Sequence, residues 1–251
     1  MLIFLILSFP VFCQPFFENS TDYMYVDNKD INDIVSIKFD NILPIIYINN
    51  PIFEDLTVSE KKSKFIDFIL PAILIEKSKI NKAYNYVLNN FDNIYLNEQT
   101  KPLYDYCNCN TTEELLICLT DQPNSIIIAQ AAIETGWGTS RFFLEGSNLF
   151  GIHSVNTANS IRALGSHDSL PVFVHKYNSI LSSISHYLRT LATGYAYSEF
   201  RMKRASQDSV INMIPYLKNY SERRDLYVED IQKLITYNNL LMYDSLIVKW
   251  R

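Results

Sequence analysis

Glu134 is a carboxylate placed where the surrounding sequence argues against a charge. Ser125 to Glu134 reads SIIIAQAAIE, with only Gln130 and Glu134 polar after the opening serine, so the segment predicts a helix buried nearly all round. The two polar side chains stand four residues apart and share one face. Glu134 closes the last turn, just before Thr135-Gly136-Trp137-Gly138, whose glycines end the helix and turn the chain. The negative end of the helix dipole and an apolar surround both oppose ionisation there. A carboxyl so placed holds a proton near neutral pH and can hand it to a leaving oxygen, as cleavage of a glycosidic bond requires. The plainer reading of the same residues is a core carboxylate neutralised by Arg141, because structural ion pairs also perturb ionisation. Glu145 follows Arg141 at helical spacing and reads as the partner of a surface ion pair.

The elements that position Glu134 follow from periodicity and punctuation. Asp121 and Pro123 supply a cap and a first-turn proline for the central helix. Thr57 to Glu60 forms a capping box, and Phe65, Phe68, Ile69, Ala72 and Ile73 then recur at helical spacing. Pro71 is expected to kink that helix, and a second one follows with Tyr84, Val87, Leu88, Phe91 and Tyr95 on one side. Ile161 to Leu164 and Val172 to Tyr177 predict two strands joined by a loop from Gly165 to Pro171. Phe173, His175 and Tyr177 share one face of the second strand. Helix returns with Ile180, Ile184, Tyr187, Leu188 and Leu191 on one side, then at Asp208 to Leu217 and at Ser221 to Tyr237. The last of these carries Tyr227, Ile231, Leu234 and Ile235 as its apolar stripe. The expected class is α+β, mostly helical, with a small β-hairpin lobe.

A chain of 251 residues suits one domain with an extension, or two small lobes. Hydrophobic residues at 48% make it globular, and a net charge of -5 without a long basic run argues against nucleic acid as a partner. Binding to an anionic polymer would therefore need specific contacts. Met1 to Phe12 is apolar but shorter than the about 20 residues that span a bilayer. Residues 1–13 read as a signal peptide cleaved after Cys13, which leaves an exported protein with no stable membrane span. Acylation of Cys13 and a buried N-terminal strand are the alternatives. Residues 14–56 form a polar, Asn-rich extension whose short apolar runs, such as Ile42 to Ile46, lie along a domain surface. Residues 57–120 make a helical scaffold, 121–240 the catalytic core and 241–251 a tail. Cys118 pairs with Cys107 or Cys109, since the latter two sit too close in sequence to pair with each other. No metal or cofactor is expected. The cysteines lack a fourth zinc ligand, His153, His167, His175 and His186 match no metal spacing, and no nucleophile elbow or phosphate loop occurs.

The stretch AQAAIETGWGTSRFFLEGSNLFG closely resembles the core motif of the bacterial endo-β-N-acetylglucosaminidases of glycoside hydrolase family 73, especially the Bax-type branch. That motif runs alanine-glutamine-alanine, Glu-Ser-Gly-Trp-Gly, Ser-Arg-Phe and Asn-Leu-Phe-Gly, with Thr135 here in place of serine. A looser likeness extends from about Pro44 to Leu240 and includes LTVSEKKSKFIDFILPAILIE, Ala196-Tyr197 and Lys218-Asn219-Tyr220-Ser221. The resemblance implies a lysozyme-like glucosaminidase domain whose hairpin lobe faces the helices across a cleft. It implies Glu134 as the catalytic acid cutting N-acetylglucosaminyl β-1,4 bonds of peptidoglycan, in the periplasm or cell envelope.

Gln130, Trp137, Asn148, Phe150 and Tyr197 are the expected substrate-binding residues, and Tyr220 is implied to bind or stabilise the sugar. Trp137 and Phe150 form an apolar wall beside Glu134, with sugar stacking the alternative for Trp137, while Asn148 ties down the turn. Several family members place a second glutamate in the β-lobe, yet residues 152–178 hold none; Asp168 is the one acid there. Three routes remain: Asp168 as base, the substrate's own 2-acetamido group as nucleophile, or glycan binding with poor hydrolysis. A single-acid mechanism helped by the substrate or by Tyr220 is favoured. Two rivals persist, a lytic transglycosylase and a non-catalytic glycan-binding envelope protein. Protein partners are not legible.

Overall fold

The computed structural model describes residues 23–164 and 171–248. The leader reading on residues 1–13, Cys13 included, and Asp168 lie outside the described residues. The chain opens with strand β1 (Met24–Val26) paired in parallel to β2 (Ile45–Tyr47). The apolar runs of this extension pack on the core. Ile42 and Ile46 are each 2% exposed and Phe53 1%, and Ile42 and Phe53 join the main core cluster.

Thr57 opens α1 (Val58–Asn89) as the capping box predicts, with the Glu60 N–H donating to the threonine hydroxyl and the Thr57 N–H to the Glu60 carboxylate. Pro71, where a kink is expected, lies inside one continuous helix of 32 residues, which takes in Tyr84, Val87 and Leu88 of the second helix expected after it. An interior proline costs about 3 kcal/mol, but every residue from Phe65 to Lys77 is buried, and that packing outweighs the cost. Phe91 and Tyr95, assigned to a second helix, lie past its end. Next come α2 (Lys101–Cys107) and α3 (Thr112–Leu119), which a Cys107–Cys118 disulfide ties together while Cys109 stays free. Their apolar faces join Ala83, Val87 and Ala192 in a second, smaller core.

The central helix α4 (Asn124–Thr135) is buried from Asn124 to Ala132. Asp121 does not cap it. That carboxylate pairs at 3.1 Å with the buried Lys77 ammonium, which also donates to Asn124 Oδ1 at 2.5 Å. The cap comes from the far end of the chain, where Asp244 accepts from Ser125 N–H at 2.7 Å and from its hydroxyl at 2.8 Å. A cap supplied by a residue 119 positions away leaves no local trace in sequence.

After α4 come α5 (Arg141–Gly146) and an antiparallel pair, β3 (Ser160–Arg162) with β4 (Phe173–His175), in which Ile161 faces Val174. Helix α6 (Ile180–Thr193) buries the expected stripe. A 3-10 helix (Tyr195–Tyr197) leads into α7 (Ser198–Ala205) and α8 (Val210–Met213). The helix expected to Leu217 continues only as a 3-10 segment (Ile214–Tyr220), because Pro215 removes a donor at its start. Helix α9 (Asp225–Tyr237) starts later than expected, since Arg224 turns the chain with φ +50°. The architecture is α+β and mostly helical, with α4 at its centre and the hairpin beside α5 and α6. No helix among the described residues is long and apolar enough to cross a membrane, and none of their His, Cys, Asp and Glu residues group as a metal site.

Candidate active site

The turn after α4 is built from hydroxyl and ring contacts. Thr135 donates to the Ala131 carbonyl at 2.6 Å and accepts from Gly138 N–H at 2.9 Å, so threonine keeps the hydroxyl that serine supplies in the resembled motif. Trp137 holds φ +60°, a conformation a bulky side chain rarely adopts. Such strain persists only where the surroundings over-determine it. Here the Trp137 ring meets Phe65 of α1 edge-on at 5.8 Å, and the Lys62 ammonium sits 5.2 Å above it while donating to Asn238 at 2.8 Å. Gly138 has no room for a side chain: a Cβ there would stand 2.4 Å from the Phe53 ring. The residues before α1 thus buttress the turn directly, and the Asn50 amide adds bonds of 2.9 Å to the Phe143 carbonyl of α5 and to the hydroxyl of Ser147 just past it.

Glu134 is partly exposed and stands over the backbone of Gly151, where an added Cβ would lie 3.0 Å from Glu134 Oε2. Gly151 also holds φ +65°, so both space and backbone require glycine there. Burial pushes the Glu134 carboxyl up from an ordinary 4.5 to about 7, against the Tyr227 hydroxyl and the Arg223 charge, which both favour ionisation. Arg141 does not neutralise it. That guanidinium pairs with Glu145 at 3.2 Å, as its spacing predicts.

Around Glu134 stands a set of tyrosines. Tyr220 donates to the Phe150 carbonyl at 2.8 Å and lies nearly parallel to Tyr227, 5.8 Å away at 7°. Tyr197 is 6.0 Å from Tyr220. Burial raises the pKa of all three phenols, with Glu134 adding to the effect, so they stay neutral. Each is a dipole and none a counter-charge.

The residues expected to touch substrate divide into two groups. Glu134, Trp137, Tyr197 and Tyr220 are partly exposed. Gln130, Asn148 and Phe150 are at most 1% exposed, so their side chains position others and reach no sugar. Phe150 stacks on Tyr187 at 3.9 Å. Asn148 ties the turn as expected: its amide donates to the Ile152 and His175 carbonyls, and its oxygen accepts from Phe150 and Ile152 N–H. Gln130 bonds two tyrosine hydroxyls, of Tyr187 and Tyr227. Those two tyrosines and Arg223 and Gly151 belong to the site without having been singled out. A tyrosine within an aliphatic stripe was the available signal, because a buried phenol must find a partner.

Residues 118–240 match the glucosaminidase family, described as mannosyl-glycoprotein endo-beta-N-acetylglucosaminidase. Protein bax of Escherichia coli strain K12 is 33% identical over 131 residues, covering 45% of this chain and 44% of that protein. The chain thus spans less than half the length of that relative. The catalytic domain of the autolysin Auto of Listeria monocytogenes is 21% identical, with 64% of this chain and 96% of that one covered and a TM-score of 0.42. Over residues 118–240 the chain is therefore similar to the glucosaminidase family, and over 131 residues to the Bax protein.

Proposed function

We propose that the protein hydrolyses N-acetylglucosaminyl β-1,4 bonds in peptidoglycan, with Glu134 as general acid. The observation that carries this reading is a partly exposed carboxyl whose pKa burial lifts to about 7, lodged over Gly151 among neutral phenols. At neutral pH such a group still holds a proton. In the forward step the Glu134 O–H bond breaks, the proton joins the glycosidic oxygen, and the C–O bond to the departing sugar breaks with its electron pair. The carboxylate left behind is stabilised by Tyr227 and Arg223, the two groups that favour the charged form.

The positive charge developing on the sugar ring faces neutral oxygens. Because Tyr220 gives its proton to the Phe150 carbonyl, its oxygen keeps lone pairs free for that charge. The substrate's 2-acetamido oxygen serves as the internal nucleophile, bonding to the anomeric carbon as the leaving oxygen departs; water then breaks that bond and gives its proton back to the Glu134 carboxylate, with Asp168 as the alternative base. Trp137 and Tyr197 offer apolar ring faces to the pyranose. The Cys107–Cys118 disulfide suits an oxidising compartment, in keeping with work at the cell envelope after export.

Purified peptidoglycan digested with wild type and with Glu134→Gln, followed by mass spectrometry of the soluble fragments, tests the reading. Wild type should release fragments ending in reducing N-acetylglucosamine, and the variant should release at most about one thousandth as much. Anhydro ends would assign a lytic transglycosylase instead. Wall binding without release would leave a glycan-binding protein.

A further inference from the structure

Tyr187 on α6 is fully buried, and its hydroxyl proton goes to Gln130 Oε1 at 2.7 Å. That bond fixes which way the Gln130 amide points. With its oxygen engaged, the amide presents Nε2, which donates to the Tyr227 oxygen at 2.9 Å. Gln130 is itself 0% exposed, so water offers it no other partner. The Tyr227 oxygen has then accepted a hydrogen, and its own proton remains to be placed. The neighbouring acceptor is the Glu134 carboxyl, with which Tyr227 interacts. Gln130 and Glu134 lie one turn apart on α4, so the helix holds the second and the last members of the chain at a set distance.

We propose that Tyr187, Gln130 and Tyr227 are positioning residues forming a one-way hydrogen-bond relay from α6 through α4 to α9, which presents the Tyr227 proton to one carboxyl oxygen of Glu134 and leaves the other to carry the proton given to substrate. Each donor in the relay has one acceptor and no bond runs backwards. If the amide of Gln130 were reversed, Tyr187 would face a donor and Tyr227 would turn its proton toward Gln130. When Glu134 gives up its proton, the waiting Tyr227 hydrogen bond becomes charge-assisted, so the relay acts more on the product of proton transfer than on the resting acid. The other groups facing Glu134 lie outside the relay. Tyr220 has spent its proton on Phe150, Arg223 pairs with Asp230 at 2.8 Å, and Tyr197 bonds neither Gln130 nor Tyr227 in the relay.

This inference rests on Glu134 being the acid of the proposed reaction, and its test is read without substrate. Carbon-detected NMR titration of the Glu134 carboxyl would be compared in wild type, Tyr227→Phe, Gln130→Glu and Tyr187→Phe, each checked for fold by circular dichroism. Removal of the Tyr227 hydroxyl should raise the Glu134 pKa by about one unit. Gln130→Glu should raise it at least as far, because a carboxylate accepts from both tyrosines and draws the Tyr227 proton away. Tyr187→Phe should give a smaller rise, since it frees the amide to reverse without removing Tyr227. The alkaline limb of the pH–rate profile should move by the same amounts. A Glu134 titration unchanged in folded Tyr227→Phe overturns the relay. Should Gln130→Glu fail to fold, the Tyr227→Phe titration, which deletes one atom, decides alone. An unchanged titration in an active hydrolase would sink the relay and spare the function; a shifted titration in a protein that releases no glycan would do the reverse.

Discussion

Replacing Glu134 by glutamine should make the protein more stable, by an amount that depends on pH. The folded chain keeps the Glu134 proton up to about pH 7, whereas an unfolded glutamate releases it near 4.5. Between those values the native state binds more protons than the unfolded state, so stability falls as pH rises through the window. At about 1.4 kcal/mol per pH unit the full displacement amounts to about 3 kcal/mol, and partial exposure trims this to about 2 kcal/mol. A neutral isostere escapes that penalty. Urea unfolding of wild type and Glu134→Gln, followed by tryptophan fluorescence at pH 4, 6 and 8, isolates the effect, because other titrating groups are common to both proteins and cancel in the difference. The two should be equal at pH 4, and the variant should lead by about 2 kcal/mol at pH 8. A difference that stays flat with pH, or a variant less stable at pH 8, would refute a buried neutral acid.

Gly151→Ala should leave the protein folded but lower kcat at least about tenfold, since the new Cβ would crowd Glu134 Oε2 from 3.0 Å; kinetics on purified peptidoglycan and a thermal melt read the two parts separately. Gly138→Ala should destabilise by more than about 2 kcal/mol through the Phe53 ring, and pairing it with Phe53→Leu should recover part of that loss in chemical unfolding. Tyr220→Phe should cut kcat by about 10- to 100-fold with little change in KM, while Asp168→Asn should stay within about threefold of wild type. A loss of three decades in the Asp168 variant would instead assign that residue the base's role.

What was legible in the sequence was what the chain encodes locally. Glu134 at the end of an apolar helix, the Thr57 capping box and the Arg141–Glu145 spacing need only neighbours within a turn or two, and each stands where its spacing predicts. What escaped depends on residues far apart in the chain. Asp244 took the cap that Asp121 was expected to supply, because only the folded tail brings it to Ser125. Pro71 lies inside a helix that runs on to Asn89, because the buried face from Phe65 to Lys77 holds it together. Gln130, Asn148 and Phe150 were expected to meet substrate because they sit in the motif beside Glu134, yet their burial makes them supports. Tyr187 and Tyr227 read as members of apolar stripes, and their hydroxyls acquire meaning only when α6 and α9 converge on Gln130.

The account depends on Glu134 donating a proton it still holds near neutral pH, and the rate of glycan release against pH tests that most directly. Release from purified peptidoglycan should be steady below about pH 6 and fall about tenfold per unit above pH 7, as the acid form is titrated away. A rate that remains level to pH 9, or that survives in Glu134→Gln, would contradict it.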